Sequence, residues 1–160
     1  MENSPSTPTL LGISNLISTY CQANTKCTNE HEVITAMTKI EHLLGFNCYA
    51  MGQNEEDQII TALKSLRNIG FVYKAEPTVK RCFEEVTNPM EIRLAALDFM
   101  RFLNCQNDYY HTTLMNTFRN VDLDSELRIG SYLALMNCPT PETVEEVKRL
   151  LKNEDVNQGT

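Results

Sequence analysis

The sequence predicts an all-α protein built as an α-solenoid of about eight helices, and three observations carry that prediction. The run Glu91-Ile92-Arg93-Leu94-Ala95-Ala96-Leu97-Asp98-Phe99-Met100 recurs 35 positions later as Glu126-Leu127-Arg128-Ile129-Gly130-Ser131-Tyr132-Leu133-Ala134-Leu135. A fainter copy lies 34 positions upstream, where Ala62-Leu63-Lys64-Ser65-Leu66-Arg67 aligns with Ala96 to Arg101. Three copies at a period in the mid-thirties point to stacked helical pairs. No stretch alternates with period two, so no strand is expected.

Each copy of the main repeat reads as one helix with one buried face. Ile92, Ala95, Ala96, Phe99, Met100 and Leu103 map onto Leu127, Gly130, Ser131, Ala134, Leu135 and Cys138. Apolar or small residues at i, i+3, i+4, i+7, i+8 and i+11 form a continuous stripe. The small middle positions let a neighbouring helix axis come close.

Residues 1–9 are polar and rich in Pro and Ser, and read as a flexible end. A first helix is expected over residues 10–21, with Leu10, Ile13, Leu16, Ile17 and Tyr20 on its buried stripe. A polar turn carrying Cys27 follows. The second helix is expected over 30–44, with Gly45 in a C-cap position. A longer connection over 46–55 holds Cys48. The third helix, 56–69, ends at Gly70, and the fourth, 77–87, begins at Pro77; these two read as the first clear pair. Asn88-Pro89-Met90-Glu91 is a start signal, a capping Asn followed by a first-turn Pro and an acid, for a fifth helix to about 104. The sixth spans 108–119, burying Tyr110, Leu114 and Phe118. Residues 122–125 cap a seventh that ends near Asn137. Thr140-Pro141-Glu142 starts the eighth, with Val144, Val147, Leu150 and Leu151 inward. The expected organisation is thus a helical domain over 10–156 and a tail over 157–160.

Composition narrows the function. With 14 basic against 21 acidic residues and a net charge of -7, scattered cations do not form a phosphate-binding surface, and nucleic acid is not an expected partner. No window approaches the ~18 uninterrupted apolar residues of a membrane span. The three histidines form no constellation with a nucleophile and an orienting acid, and the six glycines are isolated, without a phosphate loop. An enzyme is not expected, nor is a cofactor or a resident metal. A zinc set of Cys21, Cys27 and His31 is the metal alternative, with irregular spacing and no evident fourth ligand.

The six cysteines suggest an oxidising compartment. Cys21 and Cys27 can close a small loop, and Cys48 can swing over Cys82; on the chain-entropy account these staples contribute about 2 and ~4 kcal/mol. Cys105 and Cys138 end successive helices whose packed axes lie ~8–10 Å apart, and are expected as buried thiols. Arg93 and Arg128 occupy equivalent positions. They form either a basic ladder for an anionic ligand or structural contacts with neighbouring acids and helix-end carbonyls, and the nearby Glu91, Glu126, Asp122 and Asp124 favour the structural role.

From Leu10 to about Val156 the sequence resembles the C-terminal part of the helical domain of large lipid transfer proteins: vitellogenins, insect apolipophorins, apolipoprotein B and the microsomal triglyceride transfer protein. The resemblance is carried by Leu10-Leu11-Gly12 with Tyr20-Cys21, by residues 62–70, by Pro89-Met90-Glu91-Ile92-Arg93-Leu94-Ala95-Ala96, and most specifically by residues 127–139, ending in Met136-Asn137-Cys138-Pro139. It implies a right-handed superhelix of HEAT-like helix pairs wrapped around lipid-holding sheets in a secreted protein that carries lipid as cargo. It also implies a Cys48–Cys82 disulfide and, as in many members, Cys21–Cys27. The acidic balance and the Cys21/Cys27 pair lean toward the apolipophorin and vitellogenin side. The expected partner is then the lipid-binding sheets of a longer chain, of which this sequence is a helical excerpt whose signal lies elsewhere. A cytosolic HEAT-like scaffold binding a protein partner is the alternative.

Overall fold

A computed structural model describes residues 5–70, 76–102 and 108–158. Among these are eight α-helices, α1 Thr7–Ala23, α2 His31–His42, α3 Gln53–Ile69, α4 Glu76–Glu84, α5 Met90–Phe102, α6 Asp108–Arg119, α7 Ser125–Met136 and α8 Pro141–Gln158, with a short 3-10 turn at Cys27–Asn29. No described residue is in a strand. No helix among them is long and apolar enough to cross a membrane. The chain divides into two compact units, residues 1–103 and 104–160.

In the first unit α3 is the central helix. It packs against α1 on one flank and α5 on the other, α2 also packs on α3, and α4 packs on α5. This neighbour-to-neighbour order is that of a helical repeat. Ile59, Ala62, Leu63, Leu66 and Ile69 form the apolar spine of α3, and its small polar residues Thr61 and Ser65 are buried as well. Thr61 donates to Asp57 O at 2.7 Å and lies 3.3 Å from Thr7 Oγ1, so short side chains bring α1 and α3 together. The helix starts three residues before its expected position because extended Gly52 precedes it and the Glu55 carboxylate accepts from the Met51 N–H at 2.6 Å. It ends at Gly70, whose φ of 79° is a left-handed conformation that costs glycine little.

Helices α1, α4 and α8 depart from what the sequence predicts. The buried face of α1 is Leu10, Ser14 and Ile17, whereas Ile13, Leu16 and Tyr20 are exposed, Leu16 at 71%. Adjacent apolar pairs at 10–11 and 16–17 allow either of two faces, and Ser14, donating to Leu11 O, fits the close α1–α3 approach. The helix also begins at Thr7, inside the segment read as a flexible end. Second, α4 finds its main packing partner in α5 instead of α3 and stops at Glu84. Asn88 donates to Cys82 O at 3.1 Å and thereby serves a carbonyl in the last turn of α4.

Third, in the second unit α8 continues to Gln158, into the expected tail, and Leu151 on it is half exposed. In that unit α6 packs on α7, and α8 is tied to α6 through Arg119–Glu146 and His111–Thr143. Tyr110, Leu114, Met115, Leu127, Ala134, Leu135 and Val147 make its core, while Phe118 is only half-buried. Both helix starts are capped as their sequences suggest. Asp124 Oδ1 accepts from Glu126 N at 2.8 Å, and Thr140 Oγ1 accepts from Thr143 N at 3.1 Å.

Candidate functional site

The repeated arginines do the same thing twice. Arg93 Nε donates to Phe83 O at 3.0 Å, and Arg128 Nε donates to Phe118 O at 3.2 Å, each reaching ten residues back. Phe83 and Phe118 lie in the last turns of α4 and α6, where carbonyls lack intrahelical partners and the dipole favours a cation. Each arginine therefore closes the end of the preceding helix and fixes it to its own. Arg93 is buried, at 9% exposure, and its guanidinium stands 5.9 Å from the Phe83 ring centroid. Burial pushes its pKa below the usual arginine value, and the Glu85 carboxylate opposes that shift. Across α3 and α5, Arg67 pairs with Asp98 at 3.0 Å and lies 4.4 Å from the Phe102 ring centroid.

The cysteines brace one unit heavily. Cys21 and Cys27 are disulfide-bonded with Cα atoms 5.3 Å apart, so neither offers a thiolate to the zinc set with His31. Cys48 and Cys82 are bonded with Cα atoms 5.1 Å apart, and both are fully buried. Cys138 is also disulfide-bonded and only half-buried, which corrects the expected buried thiol. It lies past the last residue of α7, where the chain is no longer held at helix-axis spacing. The other expected thiol, Cys105, lies outside the described residues. Among the described residues no group of three or more His, Cys, Asp or Glu can hold a metal ion.

The connection from α2 to α3 is a feature that sequence reasoning treated only as a linker. Gly45 turns left-handed with φ 62°, and Asn47 and Cys48 follow at 57° and 56°. Non-glycine residues in that region cost about 1–3 kcal/mol each and persist where surrounding structure holds them. Here the Cys48–Cys82 bond holds the segment, as do Arg81 Nη1 donating to Asn47 Oδ1 at 3.3 Å and Asn88 Nδ2 to Asn47 O at 3.5 Å. The fold keeps Cys48 in the core and leaves Phe46, Tyr49 and Met51 outside, Phe46 at 82% and Tyr49 at 65% exposure. Phe46, Asn47 and Tyr49 line a cleft with Glu85 and Thr87. The Glu85 carboxyl is held below its usual range, first by the Thr87 hydroxyl and then by the Thr87 N–H. The cue in the sequence was Gly45-Phe46-Asn47-Cys48-Tyr49, two aromatics flanking a cysteine after a glycine.

A helical-repeat domain whose helix ends are pinned by repeated arginines and whose connections are stapled by disulfides has the build of a supporting module. The chain belongs to the vitellogenin TPR domain family, which matches residues 2–158. Among curated proteins it is similar to the apolipophorins of Locusta migratoria, 33% identical over 95% of this chain, and of Manduca sexta, 30% identical over 92%. It is also similar to the vitellogenin of Penaeus merguiensis, 24% identical over 93% of this chain. The chain spans about 4% of the length of those apolipophorins and 6% of that vitellogenin. No solved structure matches significantly.

Proposed function

We propose that the chain serves in the helical layer of a secreted lipid-transport protein of the apolipophorin and vitellogenin kind, where it packs against lipid-binding sheets of the same polypeptide. The observation that carries this reading is the family match over residues 2–158, with relatives named apolipophorins and vitellogenin. The described residues suit a supporting role: arginine clamps at helix ends, disulfide-braced connections and stripes of exposed apolar side chains such as Ile13, Leu16 and Tyr20 that suit a further packed layer. The competing reading, a cytosolic scaffold, is disfavoured by the Cys21–Cys27 and Cys48–Cys82 disulfides, because reducing compartments keep thiols unpaired.

The test is density-gradient flotation of body fluid from the native source, followed by peptide mass spectrometry without reduction. Peptides of this chain are expected in the lipid-rich low-density fraction, with Cys21–Cys27 and Cys48–Cys82 intact. Recovery in lipid-free cytosol with alkylatable thiols overturns the reading.

A further inference from the structure

The cleft beside the braced α2–α3 connection has a chemistry that structural support does not use. We infer that it takes a quaternary ammonium headgroup, the choline of a phosphocholine lipid displayed at a lipid–water surface. Its walls are Phe46, Asn47, Tyr49, Glu85 and Thr87 around a cavity of about 350 Å³. Two aromatic rings and a carboxylate in one cleft are the set that attracts a cation unable to donate hydrogen bonds, since ring faces and a carboxylate supply charge complementarity without needing an N–H. Both Thr87 bonds, at 2.8 and 3.1 Å, fall on Glu85 Oε1 and fix the carboxylate that lines the cleft.

The same rim carries the opposite charge. Arg81 donates to Asn47 Oδ1, so a guanidinium stands next to a residue of the cleft itself. Glu85 and Arg81 together complement a zwitterion, ammonium toward the carboxylate and phosphate toward the guanidinium. Exposed Met51 and Val86 adjoin the cleft residues in sequence and offer apolar side chains to the layer beneath a headgroup. Shallow insertion in a lipid surface needs only a few exposed apolar side chains and no shape-matched partner, unlike a stable protein interface of ~800 Å² per partner. The disulfide and the left-handed backbone hold these side chains outward before binding, so little ordering cost remains. The headgroup chemistry stands on the cleft alone; the lipid surface as its source rests on the lipid-transport reading.

Two measurements on the chain test it. In NMR titration with phosphocholine, shifts are expected to cluster at residues 46–49 and 85–87. Glu85→Gln should weaken binding about tenfold, and the Phe46→Ala/Tyr49→Ala double variant should abolish it. In co-sedimentation, the chain should pellet with dioleoylphosphatidylcholine vesicles in preference to dioleoylphosphatidylglycerol vesicles, and the double variant should stay in the supernatant. All three side chains lie at the surface, and an unchanged far-UV spectrum confirms that the variants fold. Absence of phosphocholine shifts overturns the headgroup site. Shifts without vesicle binding overturn the lipid surface as its source, and equal binding to both vesicle types overturns recognition of choline. None of these failures touches the flotation result, so the site and the lipid-transport reading fail separately.

Discussion

The α4–α5 and α6–α7 junctions share one sequence pattern and one hydrogen bond, yet they are secured differently. At the first, Arg93 is buried against Phe83 and the end of α4 is also held by the Cys48–Cys82 bond and by Asn88. At the second, Arg128 is half-buried, and Phe118 lies 5.6 Å from Tyr132, ring centroid to ring centroid. The Asp124 cap and the Arg119–Glu146–Arg149 cluster do the remaining work there. A repeated motif thus sets where a helix end is pinned, while the surroundings set how strongly. The same bond is worth more where water is excluded, because the carbonyl left behind has no substitute partner.

Replacing both Cys48 and Cys82 by Ala breaks the comparison most severely. A loss of ~4 kcal/mol in chemical denaturation is expected, from the 34-residue separation they bridge. Arg93→Ala should cost about 2–3 kcal/mol, because it strips a charged bond from a buried carbonyl, and Arg128→Ala only about 1 kcal/mol. Equal losses at the two arginines would show that burial does not set their strength. Asp124→Ala should cost about 1 kcal/mol through loss of the α7 cap, read as a lowered thermal midpoint.

The smallest effect is pH-dependent. Hydrogen bonding from Arg149, with further bonding from Arg119, holds the Glu146 carboxyl at about 2, below its usual 4.5. Because the folded value is depressed, its contribution is fully present above the unfolded value near 4.5 and is lost as pH falls through about 2. Thermal midpoints measured across that window should show a decrement that Glu146→Gln lacks.

The all-helical class was legible because the Glu91 and Glu126 copies bury the same face: Ile92, Ala96, Phe99 and Met100 match Leu127, Ser131, Ala134 and Leu135. Gly70 likewise marked an end that only a left-handed residue makes cheaply. The face of α1 was not legible, since neighbouring apolar residues support two phases and the decision lies in side chains of α3 far away in sequence. The arginine contacts were only half legible. Equivalence of Arg93 and Arg128 was visible, but the choice of a carbonyl ten residues back depends on how two helix ends meet. The cleft at Phe46 and Tyr49 was only faintly marked: Gly45 and Asn47 are residue types that tolerate a left-handed turn, but Cys48 is not, and its turn at φ 56° follows from its bond to Cys82.

The Cys48–Cys82 bond encloses all of α3, the central helix of its unit, whereas Cys21–Cys27 encloses only a turn. A chain emerging from the ribosome can close the short ring once Cys27 is exposed. The long ring cannot close until α3 and most of α4 have been synthesised, because Cys82 lies in the last turn of α4. Once closed, it ties the connection before α3 to the helix after it, so α3 cannot unfold without carrying both ends of its ring. A premature Cys27–Cys48 pairing would leave Cys82 without its partner, a species that thiol–disulfide exchange has to resolve before the native pairing forms.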